Sequence, residues 1–413
     1  MLREAPYREL LASNILSKIG DGVHLAAFPI LALQVTHDAR IVGVVSAVSF
    51  VPALIGSVPA GHFIDRHNPF KIAVYVDVLR AVLVLSFWLL VATGNVDAFT
   101  LVAIAALLGV GELLFDNSVS SFVPEITPSE RLPKLNGYLS TTRDLCNGLI
   151  GPAIGGLLYA AGSAVPFLVN GVSFVISAAL LARLTKARAQ NIDDGQESKE
   201  QQGRSNSMAG FTYIWHDRGL RSILAAVFVW SIFGWLPEGV LVVYAANQLH
   251  LQSSGFGLLL SVTSLGAVVG GMIATRYVTL ASAHRLIIPS LALYAMCMVP
   301  AAFVHNGFVA GALFFIQGLP VLVFGICSTS IRQARIPKHL RGRASTVFYF
   351  AGAGLSPIGL AVGGVLAASV GPGSAFFIGG VGILATIPFL LVGVRSLAGE
   401  ANADVNVAVS AAS

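Results

Sequence analysis

The chain has 413 residues, of which 55% are hydrophobic and only 11% charged, with 43 glycines, a net charge of +5 and a mean hydropathy of +0.79. Soluble domains carry about 25% charged residues, so a chain this long with so few charges is not expected to cover its own surface in water. Its apolar residues fall in long runs near the ~20 residues a helix needs to cross a bilayer. An all-α polytopic membrane protein is therefore expected.

Lipid requires backbone polar groups to be satisfied internally, which leaves helices or closed barrels as spanning structures. The alternation of a barrel strand is absent, and residues 81–92 and 101–111 hold no charge at all. The sequence predicts spans at 10–36, 40–61, 72–93, 98–122, 136–160 and 164–184. Six more follow at 219–247, 254–276, 285–305, 308–331, 344–368 and 373–394. Ser13, Asn14, Ser17 and Lys18 interrupt the first apolar stretch and no small-residue cleavage site follows it. The first span is thus read as retained rather than as a signal peptide.

The organisation follows as an N-terminal six-helix bundle (1–186), a flexible cytoplasmic linker (187–217), a C-terminal six-helix bundle (218–396) and a disordered tail (397–413). The linker is assigned on its polar stretch 190–207, which cannot bury a core. Lys and Arg collect on alternate connections, from Arg3 and Arg8 through Arg66, Lys71, Arg131 and Lys134 to Arg332–Arg343 and Arg395, while the opposite loops hold Arg40 and no other. The positive-inside rule then places both termini in the cytoplasm of an inner-membrane protein. The same loops account for the +5 charge, so no nucleic-acid partner is expected. Cys146, Cys297 and Cys327 each fall inside a span, without a disulfide framework or metal-ligand spacing; no metal and no cofactor are expected.

The two halves resemble each other. Gly61, Asp65 and Arg66 follow the second span, and Gly271, Thr275 and Arg276 follow the eighth, 210 residues later. Gly155-Gly156 recurs as Gly363-Gly364, 208 residues later, each pair behind a proline, Pro152 and Pro357. Such repeats point to an alternating-access transporter.

These residues resemble the major facilitator superfamily over essentially the whole chain. Gly61-x-x-x-Asp65-Arg66-x-x-x-x-Lys71 is similar to the family signature between helices 2 and 3, but Asn68 stands where glycine is usual and Pro69-Phe70 where basic residues are common. Gly151, Pro152, Gly155 and Gly156 resemble the end of the fifth-helix motif associated with antiporters, although Tyr138 and Asn147 replace its upstream glycines. Gly20-Asp21-Gly22, Gly111-Glu112-x-x-Phe115-Asp116, the segment from Pro124 to Arg143, and Gly210 to Arg221 resemble the branch of the enterobactin exporter and macrolide efflux pumps. The resemblance implies a monomeric exporter of drug, macrolide or siderophore type. It also implies that Asp65 braces neighbouring helix ends in a conformational role.

Charges inside spans cost roughly 2.5–3.5 kcal/mol at the helix centre and by default mark function. Asp21 lies near the middle of helix 1, with only Lys18 close to its depth on that helix. Glu112 and Asp116 are four residues apart and share a face of helix 4, and Arg143 reaches a depth similar to that of Asp116. Burial favours a protonated carboxyl and a nearby guanidinium favours an ionised one. Relative movement of these groups would therefore bind and release protons, with Asp21 and Glu112 as the expected protonation sites. The other reading of Asp116 and Arg143 is a static ion pair. Asp77 and Arg80 either satisfy each other or extend the Asp65–Arg66 cluster. His24 either relays protons or packs as a hydrogen-bonded side chain. Pro237, Glu238 and Gly239 interrupt helix 7, with Glu238 either at a gate or near the outer surface; Phe228, Trp230, Phe233 and Phe324 either line an apolar cavity or, for most of them, face lipid or neighbouring helices.

The leading expectation is a proton-coupled exporter of amphipathic small molecules, with small-molecule substrate, protons and the lipid bilayer as its partners. No G-x-x-x-x-G-K-[ST] loop occurs, which disfavours an ATP-driven pump, and no H-E-x-x-H or G-x-S-x-G pattern points to an enzyme. A proton-coupled metabolite importer is the alternative, with a polytopic membrane enzyme behind it.

Overall fold

The structure, a computed structural model, describes residues 5–128, 130–189, 208–337 and 340–412; the side chains of some helical residues, Asp65 among them, lie outside that description. The described residues are helical throughout their ordered elements, without a strand. The first six rods are α1 (Ala5–Thr36), α2 (Ala39–Asp65), α3 (Pro69–Ala92), α4 (Ala98–Ile126), α5 (Leu132–Thr142, Arg143–Ile150 and Gly151–Ala161 in succession) and α6 (Val165–Ala189). After a short helix at Met208–His216 come α7 (Arg218–Asn247), α8 (Ser253–Tyr277), α9 (Leu280–Ala301), α10 (Gly307–Arg335), α11 (Arg341–Val370) and α12 (Gly373–Ala412). Among the described residues eleven of these are long and apolar enough to cross a membrane. The remaining rod, α5, carries Arg143, Asp144 and Asn147 in its middle, which lowers its apolarity below that of the others.

The chain forms two compact units, Met1–Gln202 with Leu251–Ser264, and Gly203–His250 with Leu265–Ser413. The stretch 190–207, read as the core of the linker, lies outside the described residues. On either side of it α6 runs to Ala189 and the short helix begins at Met208, so the ends of the expected linker are helical. The C-terminal tail is a correction. The backbone of α12 remains helical to Ala412 where the sequence reading expected disorder. Alanine, frequent in this stretch, has the highest intrinsic helix propensity.

Polar residues at the span ends start the helices. Asp38, Asn68, Asp97, Asp217 and Asn306 each accept a backbone N–H of the first turn that follows, satisfying donors that would otherwise lack partners. Asn68 accepts from Phe70 N at 3.0 Å and Lys71 N at 3.2 Å, with Pro69 at the first helical position. The departure from the signature glycine thus has a structural consequence, because here it supplies the cap of α3. At Asp97 the Thr100 hydroxyl and backbone N–H hold the carboxyl below its usual range. The cap's contribution is therefore complete above the ordinary aspartate pKa and is lost only as pH falls through the depressed value.

Within each unit, glycines set how closely two rods meet. In the first unit a Cβ on Gly22 of α1 would lie 2.8 Å from the carbonyl oxygens of Cys146 and Asn147, and one on Gly155 of α5 would lie 2.5 Å from Val23 O. In the second unit Gly363 of α11 sits as tightly on the Leu236 carbonyl of α7. The paired glycines of the two halves therefore do the same work on equivalent rods. Wide π-turns also recur, at Arg143–Ile150 in α5 and Phe350–Gly354 in α11. Gly156, the next residue of the fifth-helix motif, meets Gly257 and Ser253 at the start of α8, and Ser261 Oγ donates to Leu149 O at 2.6 Å. These approaches join residues 251–264 to the first unit.

Gly61 differs, since a Cβ there would meet nothing within 4 Å. Gly22→Ala is expected to lower stability by about 1–3 kcal/mol through overpacking, and Gly61→Ala to leave it unchanged. Thermal unfolding of the two variants in detergent checks the contrast.

Candidate functional site: a buried charge network

The polar side chains of α1, α3, α4, α5 and α6 converge inside the first unit. Lys18 of α1 is the centre. Its Nζ donates to Asp21 Oδ2 at 3.2 Å and Glu112 Oε1 at 3.3 Å, and lies 3.3 Å from Asp116 Oδ1. The i,i+3 spacing puts Asp21 on the same face as Lys18, and the i,i+4 spacing does the same for Glu112 and Asp116. Arg80 of α3 donates from Nη2 to the other oxygen of Asp21 at 2.5 Å, with Nη1 3.7 Å from Asp77 Oδ1. Asp77 accepts a 2.5 Å hydrogen bond from Ser177 of α6, whose hydroxyl is 2.8 Å from that of Ser13. At the other end Arg143 Nη2 donates to Asp116 Oδ2 at 3.2 Å.

Packing fixes the guanidinium of Arg80. It lies over the Phe174 ring at 4.0 Å and near Phe115 at 6.0 Å, a favourable place for a cation. Gly111 leaves room for the stem, since a Cβ there would lie 2.8 Å from Arg80 Cγ. The glycine before Glu112 thus admits an arginine from the neighbouring helix.

The network grades from sealed to open. Asp77, Lys18 and Arg80 are 0%, 1% and 4% exposed, Asp21 is 10%, and Asp116, Glu112 and Arg143 are 30%, 48% and 57%. Removing such charges from water costs several kcal/mol per ion even after relaxation, so the sealed end persists only because each ion has an opposite neighbour. Three cations, Lys18, Arg80 and Arg143, face four carboxylates, Asp21, Asp77, Glu112 and Asp116.

The structure brings Asp21, Glu112 and Asp116 together around Lys18, with Arg143 on Asp116. Asp77 and Arg80, grouped in the sequence with the loop signature, point into this network instead. Arg66 and Lys71 are exposed, and the side chain of Asp65 lies outside the described residues. His24 stacks on Phe28 at a centroid distance of 4.5 Å, with Phe167 edge-on at 6.0 Å; its Nδ1 is buried without a hydrogen-bond partner. Gly151, Pro152, Gly155 and Gly156 are buried and serve helix approach. Sequence reasoning gave Lys18 too small a part and missed Ser177 and Phe174. A signal was present in the polar spacing Asn170, Ser173, Ser177 along an otherwise apolar α6.

The second unit carries an Arg335–Asp217 ion pair at 3.1 Å and, around the break in α7, aromatic contacts. Trp230–Gly234 is a π-turn and Glu238–Val240 a 3-10 turn, so α7 is broken where Pro237 and Gly239 indicated. Tyr294 OH donates to the Gly234 carbonyl at 3.2 Å, satisfying backbone released by the break. Trp230 stacks on Phe324 at 5.0 Å and leans on Tyr294 at 4.4 Å. Glu238 is exposed. A shallow cleft of about 400 Å³ lies along one face of α10, at Leu322, Gly325, Ile326, Thr329 and Ser330. Of the aromatic candidates, Trp230 of α7 and Phe324 of α10 are packed against each other, in keeping with the neighbouring-helix alternative. Among the described residues no group of three His, Cys, Asp or Glu side chains is placed to hold a metal ion.

A polytopic helical chain that buries an ion network among its apolar helices has the architecture a membrane transporter requires. The sequence profile of the Major Facilitator Superfamily matches residues 10–357, and the chain belongs to that family. It is 25% identical to the multidrug efflux pump Tap of Mycobacterium tuberculosis, across 98% of this chain and 97% of the relative. It is 20% identical to macrolide efflux protein A of Streptococcus pyogenes, across 90% and 92%. The crystal structure of a bacterial homologue of the iron transporter ferroportin in an inward-facing state shares the fold, with a TM-score of 0.73, 17% identity and coverage of 95% and 99%.

Breaking the sealed end is expected to be far costlier than breaking the open one. Arg80→Met deprives Asp21 and Asp77 of their shared cation and should destabilise the protein by about 3–5 kcal/mol. Arg143→Ala removes an exposed pair and should cost about 0–1 kcal/mol. Thermal midpoints of the two variants in detergent measure the difference.

Proposed function

We propose that this transporter is a secondary active exporter of amphipathic small molecules, driven by inward proton flow. The observation that carries the reading is the intramembrane ion network. Four carboxylates against three cations leave one negative charge when every group is ionised, so binding one proton neutralises the set. Glu112 and Asp116 occupy the open end, where protons and cargo have access, and Asp21 joins them to the sealed end through Lys18. Asp21 and Glu112 are the proposed protonation sites, and Arg143 the cation that favours proton release. The names of the efflux relatives support drug-like or macrolide cargo over siderophores and over metabolite import.

In this reading the protein is monomeric and sits in the inner membrane with both termini in the cytoplasm, as its Lys and Arg distribution supports. The helices of 1–186 and 218–396 act as the two bundles of an alternating-access cycle, with 187–217 as their connection. Asp65, with Gly61, Arg66 and Lys71, acts on conformation rather than on cargo. Glu238, at the break in α7, is proposed as a gating group.

Expression in cells lacking their own pumps is expected to lower ethidium and erythromycin accumulation several-fold, and an uncoupler to abolish the difference. Equal accumulation with and without the protein across a broad panel of compounds would sink the exporter reading; uptake under an imposed proton gradient would favour import. Asp21→Asn and Glu112→Gln should each lower gradient-driven efflux by about tenfold or more while leaving the protein in the membrane. Asp65→Asn should abolish transport at unchanged folded yield, and normal efflux by that variant would remove the conformational role.

A further inference from the structure

The interface of α1, α3 and α6 contains polar atoms that the ion network does not use. Asn170 of α6 is fully buried, and neither its Oδ1 nor its Nδ2 has a hydrogen-bond partner. Without a hydrogen bond as well are Asn14 Oδ1, Ser17 Oγ and His24 Nδ1 on α1, and on α3 Arg80 Nε together with Asp77 Oδ1 and Arg80 Nη1, which face each other at 3.7 Å. Apart from His24, these six residues are all at least nine-tenths buried. Asn170 and Arg80 both face α1. A Cβ on Gly20 would lie 2.5 Å from Asn170 Oδ1, which places Asn170 beside α1 between Ser17 and His24. Ser177, two turns further along α6, joins Ser13 to Asp77. The ladder from Ser13 to His24 covers about 16 Å at 1.5 Å per residue, roughly half the ~30 Å hydrocarbon core.

Native proteins rarely leave such groups unsatisfied, and where side chains do not serve them, buried water does. The chemistry of the set favours water. Arg80 Nε and Nη1 and Asn170 Nδ2 are donors, while Asn14 Oδ1, Asp77 Oδ1 and Asn170 Oδ1 are acceptors, and only a molecule that both donates and accepts suits them all. A metal cation would meet the adjacent charges of Lys18 and Arg80. An apolar cargo molecule would leave every one of these groups unpaired.

We propose that this interface holds a file of internal waters that carries the coupling proton between His24 and Asp77, along Asp21, whose charge Lys18 links to the protonation site Glu112. The proposal rests on the proton-driven reading above and deepens it by giving the proton an internal route to Asp21 within the first unit. A proton entering at His24 forms an N–H bond at the ring. It passes on as each water forms one O–H bond and gives up another, and it arrives on a carboxylate oxygen of Asp77. The Ser177 and Ser13 hydroxyls relay it toward the cytoplasmic end by the same exchange, so no bond is lost overall. The charged and titratable groups around the file are Lys18, Asp21 and His24 on α1 and Asp77 and Arg80 on α3. Glu112 and Asp116 of α4 join through Lys18, and Arg143 of α5 through Asp116. At this depth α6 adds only the neutral Asn170, Ser173 and Ser177.

Two measurements on the full chain in liposomes test the route. Pulsed X-ray hydroxyl-radical footprinting should label the buried rings Phe167 and Phe174 in the wild type. Asn170→Leu should reduce that labelling about fivefold, and Asn170→Ser, which leaves room for water, should retain it. In transport, Asn170→Leu should lower erythromycin movement driven by a pH gradient about tenfold, with erythromycin equilibrium exchange, which needs no net proton, within about twofold of wild type. Asn170→Ser should keep both rates. Unlabelled rings in a wild type that moves erythromycin overturn the route alone. A wild type that moves neither erythromycin nor protons overturns the route and the exporter reading together. Equal loss of driven transport and exchange in Asn170→Leu, or no loss in either, assigns Asn170 to packing and also overturns the route.

Discussion

Asp21 is shared between Lys18 and Arg80, and the first unit is arranged around that sharing. A carboxylate at membrane depth is expensive alone, and a single buried ion pair seldom repays its desolvation. Here one oxygen of Asp21 takes the Arg80 guanidinium and the other the Lys18 ammonium, so both lone-pair regions of the anion are occupied. The surrounding sequence is adapted to this contact. Gly111 admits the Arg80 stem, Phe174 covers its guanidinium, and Ser177 holds Asp77 on its far side. An apolar core of the same size would be as stable or more so. Stability is therefore a poor reason for these charges, which is why the functional reading begins with them.

The two units use one frame for different chemistry. In each, a glycine late in one rod admits the backbone of another, Gly155 on Val23 and Gly363 on Leu236. A π-turn precedes each of these glycines. On that frame the first unit builds ions and the second stacks Trp230, Tyr294 and Phe324 beside a broken α7. A helix break in lipid leaves carbonyls that must be satisfied locally, and Tyr294 does so for Gly234. Trp230 of α7 is thus engaged with Tyr294 and Phe324 beside the break.

Much of this was legible in the sequence because lipid imposes strong rules. Run length, loop charge and the polar linker gave the helix order, and the intramembrane charges gave Asp21, Glu112, Asp116 and Arg143. Partner choice was not legible, because it depends on which faces of separate helices meet. Asp77 and Arg80 are three residues apart and seemed to answer each other, yet the shorter contact of Arg80 is with α1. Lys18 looked like an interruption of an apolar helix until α4 was placed beside it. The helical end of α12 was missed for another reason. Low complexity was read as disorder, although a run rich in alanine also has strong helix propensity.

The two buried cations differ in a way that bears on how a proton-driven cycle would move. Arg80 presents a planar fork, stacked on a ring and clamped between two carboxylates from different helices, and such a fork loses its contacts if it turns. Lys18 is a compact charge on a flexible stem with three donors, and it meets three carboxylates at nearly equal distances of 3.2, 3.3 and 3.3 Å. Near-equal partners make it inexpensive for the ammonium to shift among them when one is neutralised. Under the proposed mechanism, Arg80 therefore holds α1 and α3 in register while Lys18 responds. Protonation of Glu112 at the open end would let Lys18 settle on Asp21 and Asp116, and the change in charge would be felt at the sealed end through the lysine, without any arginine leaving its ring.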